Sequence, residues 1–69
     1  MTEDKLASEL ALLKEVEDAI DHWSLIVEDP TRPPGEQRDA AAHLRYNRQL
    51  ASGIRSRIAE LRRQQGGNQ

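Results

Sequence analysis

The chain has no cysteine and no phenylalanine, and only one tryptophan and one tyrosine among 69 residues. Without cysteine there are no disulfides, and a reducing cytosol suits such a chain. A polypeptide this short buries only ~60% of its unfolded surface, so it forms one domain at most and its core is thin. With disulfides excluded, the remaining supports are a metal, well-idealised helix packing or a second subunit. No apolar run approaches the ~20 residues that span a bilayer. The opening, MTEDKLASEL, is acidic and lacks the apolar centre of a signal peptide. The expectation is a cytoplasmic protein without a membrane partner.

What is present is charge, and it is unevenly placed. Residues 1–29 hold nine acids against Lys5 and Lys14, a net of −7, whereas residues 30–69 hold eight arginines against Glu36, Asp39 and Glu60, a net of +5. Each half is therefore an electrostatic partner for the other, or for something outside.

The apolar residues of the first half follow helical spacing. Leu6, Leu13, Ile20 and Val27 recur every seven residues, with Val16 and Trp23 three residues after two of them. Leu10, Leu12, Ala19 and Ile26 widen the stripe. The helix must stop before Pro30, which drives its predecessor out of the α region. A first helix over 3–28 follows, ~39 Å long at 1.5 Å per residue. In the second half Ala40, Leu44, Asn47, Ala51, Ile54, Ile58 and Leu61 alternate by three and four. Pro34 suits a first turn, where its missing N–H costs nothing. A second helix over 34–64 is expected, with a disordered tail at 65–69.

Three prolines and a glycine within EDPTRPPGEQ mark the connection, 29–33, whose length is usual for antiparallel helices. The fold class is all-α: an antiparallel hairpin of two long helices, expected to pair into a four-helix bundle. A turn centred near Arg32 predicts that facing residue numbers add to ~64, placing Trp23 over Ala40–Ala42. Gly53 would then mark a close approach of the helices beside Leu10 and Leu12, and Arg45 and Arg48 would reach Glu17 and Asp21.

Chemistry is sparse, and no cofactor motif is present. The pattern E-x-x-D-A-x-x-H occurs twice, as Glu15, Asp18, His22 and as Glu36, Asp39, His43. Such spacing lines one helix face, and bundles build metal sites from such sets. His22, however, points off the apolar stripe, and acids four residues before a histidine are ordinary surface pairs. His43, Tyr46 and Asn47 form a polar cluster near the seam, which reads as a register-fixing break rather than as an acid–base site. A two-helix hairpin offers no concave pocket, so an enzyme is not expected.

Two binding readings remain. Leu12, Trp23, Leu25, Ile26 and Leu50 exceed what one helix contact buries, which suggests a homodimer or a helical protein partner. Such a module would be an adaptor, accessory subunit or regulator. The alternative is a nucleic-acid-associated regulator using Arg45, Arg48, Arg55, Arg57, Arg62 and Arg63. Against it stand the acidic whole chain and the lack of aromatics between the arginines to stack bases.

Overall fold

The computed structural model describes residues 2–67. Two α-helices, α1 (Thr2–Glu28) and α2 (Pro34–Gly67), pack side by side as an antiparallel hairpin measuring 54 × 14 × 13 Å. Among the described residues no helix is long and apolar enough to cross a membrane. The acids Glu3 and Asp4 in the first turn of α1 and Glu36 in that of α2 complement the helix dipoles.

The turn is tied down at each step. Asp29 Oδ1 accepts hydrogen bonds from the Thr31 amide (2.9 Å) and the Thr31 hydroxyl (2.6 Å), and the Arg32 amide donates to the Asp29 carbonyl (3.3 Å). The carbonyl of Pro33 accepts the Gln37 amide at 3.1 Å, so Pro33 caps α2 and Pro34 occupies its first turn. Gln37 also donates its side-chain amide to the Asp29 carbonyl at 2.6 Å, joining the start of α2 to the end of α1.

The core is a single seam. Val16, Ala51, Ile54 and Ile58 are buried together, with Leu6, Leu13 and Ile20 packed against them. Ala40 and Leu44 extend it toward the turn. On α2, positions 37, 44, 51, 58 and 65 alternate with 40, 47, 54 and 61, and each of these is buried or partly buried. This heptad spacing keeps one stripe facing α1.

Several expectations are corrected here. Three contacts fix the register: Trp23 with His43, Glu9 with Arg57 and Asp29 with Gln37, whose numbers each add to 66. Trp23 therefore stacks on His43, while Ala42 is exposed. Gly53 does not mark a close approach, since a Cβ there would meet only Arg57 Nη1 at 3.9 Å. The helix also continues through residues 65–67, where a disordered tail was expected, because Gln65 falls on the seam and is partly buried. Residues 68 and 69 lie outside the described residues.

Candidate interaction face

A layer of two helices has two open sides, and the heptad spacing assigns residues to each. One side carries Lys5, Leu12, Ala19 and Ile26 of α1 beside Glu36, His43, Leu50 and Arg57 of α2, each set spaced by seven. The grooves of the surface agree with this assignment. Ile26, Glu36 and His43 line one groove near the turn, and Lys5 and Arg57 line another near the open end. Leu12 and Leu50 stand between them. They are 41% and 39% exposed, and Tyr46, one turn from Leu50, is 61% exposed.

The opposite side carries Leu10, 40% exposed, among a larger number of charges. It carries Glu17, Asp18 and Asp21 of α1 around a groove shared with Arg55, and Arg55 and Arg62 line the next groove along. Arg48 keeps the seven-residue spacing of Arg55 and Arg62, and Arg38 and Arg45 keep that of Ala59, which lines the same groove. Arg55 donates to Glu17 at 3.1 Å across the two helices, both side chains about half exposed. Arg45 and Arg48 make no ion pair with the described residues, so the expected pairing to Glu17 and Asp21 is replaced by Arg55 alone. Arg57 pairs with Glu9 at 3.0 Å, and Arg63 with Glu60.

Leu25, also expected at a partner interface, stands apart from Leu12, Ile26 and Leu50. It is 69% exposed and belongs to neither open side, falling on the outer surface of α1. Trp23 and Ile26 are partly buried at the turn end of the apolar side. The indole is held between two imidazoles: His43 stacks on it with centroids 4.3 Å apart, and His22 meets it edge-on at 4.9 Å. His43 lines one groove with Glu36 and Asp39, while its ring lies on the indole. Among the described residues no group of three or more carboxylate or imidazole side chains is gathered to hold a metal ion.

The polar cluster also resolves into separate roles. Asn47 donates its side-chain amide to the His43 carbonyl at 2.8 Å, one turn back on its own helix. It does not bond across the seam. Tyr46 projects to the surface and His43 is committed to Trp23. At the turn the carboxyl of Asp29 is held below the ordinary aspartate value of 3.8, chiefly by the Thr31 hydroxyl, then by the Thr31 amide, with Arg32 adding to it. Its role is structural. Comparison with protein-family models, curated proteins and solved structures returned no match.

Proposed function

We propose that this protein is a non-enzymatic protein–protein interaction module, an adaptor, accessory subunit or regulator, that acts by self-association into a four-helix bundle. The observation that carries this reading is the set of large hydrophobic side chains that the two-helix seam leaves exposed, Leu12, Leu50 and Tyr46 on one open side. They are 41%, 39% and 61% exposed, and the partly buried Ala19 and Ile26 keep the heptad spacing of Leu12 on the same side. A lone two-helix layer buries one stripe per helix and leaves this second stripe in water. Fully burying a leucine is worth ~1.5–3 kcal/mol, a large part of what so small a chain musters. A symmetric dimer is the commonest way to cover such a face.

Melting tests this. A self-associating chain melts at a temperature that rises with concentration. Leu50→Glu should abolish that dependence while the helical signal remains, because Leu50 lies outside the seam.

A second reading draws support from Arg38, Arg45, Arg48 and Arg62, which make no ion pair with the described residues and share the charged side. In that reading the arginines contact phosphates, and the acids of α1 on the same side weaken the contact. A mobility shift of DNA or RNA that weakens steeply with salt, together with melting independent of concentration, would favour it.

A further inference from the structure

We propose that the outer surface of α2 binds duplex nucleic acid through its phosphates, without reading sequence. This rests on the second reading above and gives it a surface, one that stays open whether or not a second copy covers the apolar side.

The surface follows from the heptad. The seam of α2 runs through Leu44, Ala51 and Ile58 and through Ala40, Asn47 and Ile54. The three heptad positions that turn away from α1 on the arginine side then span a sector of ~100°. Six of the eight arginines occupy it: Arg38, Arg45, Arg48, Arg55, Arg62 and Arg63, all exposed. Among the described residues of α2 no acid shares the sector, because Glu36, Asp39 and Glu60 fall on the other flank with Arg57. Arg38, Arg45, Arg48 and Arg62 make no ion pair with the described residues, and Arg55 and Arg63 hold theirs in solvent.

What lies between the arginines selects the partner. A protein interface is anchored by large apolar or aromatic side chains at its centre, and this sector offers only alanines, serines and Gln49. A phosphate backbone asks instead for cations with small hydroxyl and amide donors, which Gln49, Ser52 and Ser56 supply. Trp23 is stacked on His43 and Tyr46 stands outside the sector, so no ring is placed to stack an unpaired base. That favours a duplex, whose charge density is also higher, over a single strand. From Arg38 to Arg62 the row runs ~36 Å, about the rise of one duplex turn.

The acids of α1 oppose this contact less than the net charge of −2 implies. Packed helix axes lie 8–10 Å apart and the outer surface stands a further ~5 Å out, whereas charges in water are screened over ~8 Å. On this side Glu17 is the acid that reaches across, and it takes Arg55 alone.

Fluorescence anisotropy with a labelled duplex about two turns long tests the surface. Phosphate contacts by the four arginines without ion pairs give log affinity a slope of about −3.6 against log salt, roughly a hundredfold between ~50 and ~200 mM. Two unrelated sequences should bind alike. The double variant Arg45→Ala, Arg48→Ala should flatten the slope by about two with helix content unchanged. Arg57→Ala, on the other flank, should leave it as it is. A slope indifferent to the double variant, or flattened equally by Arg57→Ala, would overturn this surface and leave the second reading standing. Absence of binding at ~50 mM salt would overturn both. Poly-glutamate that displaced the duplex at equal charge would overturn nucleic acid as the partner, in favour of an acidic protein.

Discussion

Trp23 lies flat on His43, with ring centroids 4.3 Å apart and planes 15° from parallel. This contact joins the two helices near the turn, where the aliphatic seam gives way to polar residues. Aromatic pairs of this geometry contribute ~0.5–1.5 kcal/mol beyond their buried area. His43→Ala should therefore destabilise the hairpin by about 1 kcal/mol and move the tryptophan emission to the red. His22→Ala removes only an edge contact within one helix and should do less. Equal effects of the two variants, in denaturant titrations followed by fluorescence, would contradict the stacked geometry.

The turn carries a pH dependence of known sign. The Asp29 carboxylate accepts two bonds from Thr31, and its pKa is lowered in the folded chain. A carboxyl depressed on folding contributes stability above its unfolded pKa, and that contribution is lost as pH falls through the folded value. Asp29→Ala should therefore melt below the native chain at pH 7, and the gap should close below about pH 4. Parallel melting curves down to pH 2 would contradict this.

Glu9 presents a test of the seam. It occupies a heptad position shared with Val16 and Trp23, and one of its oxygens is bound by Arg57. The other, Oε2, is buried without a hydrogen-bond partner. Orphaned buried acceptors cost ~1–3 kcal/mol, and Arg57, whose side chain is more than half exposed, stays solvated when the carboxylate is removed. Glu9→Met should leave stability unchanged or raise it by about 1 kcal/mol. A loss greater than that in chemical denaturation would show that the Arg57 pair outweighs the orphan.

The pair Arg55–Glu17 should behave as a surface ion pair. Both side chains are about half exposed, so a double-mutant cycle should yield a coupling of ~0–1 kcal/mol that diminishes with added salt. A larger, salt-insensitive coupling would mean that this side is buried, as by a partner docked on the charged face instead of the apolar one.

The two helices and their turn were legible because seven-residue spacing and proline act locally. Register was less so. The residues opposite Trp23 include three successive alanines, and the contacts of Trp23 with His43, Glu9 with Arg57 and Asp29 with Gln37 are what set the register two residues further along. Gly53 was misread as a helix contact because a sequence marks a small residue without saying which neighbour needs the space. The helical end was misread because Gly66 and Gly67 outweighed Gln65, whose place on the seam emerges only once register is known. Leu25 stands about 200° around the helix from Trp23 by spacing alone, so its place on the outer surface of α1 is legible in the sequence. Of the interface set, Leu12, Ile26 and Leu50 share one side because they keep the heptad spacing.

The most direct test of self-association is the mass in solution. Light scattering at micromolar concentration should report about twice the 7.8 kDa chain mass, and Ile26→Glu should return it toward a single chain with the helices intact. A well-folded native chain at 7.8 kDa, unchanged on concentration, would contradict the account.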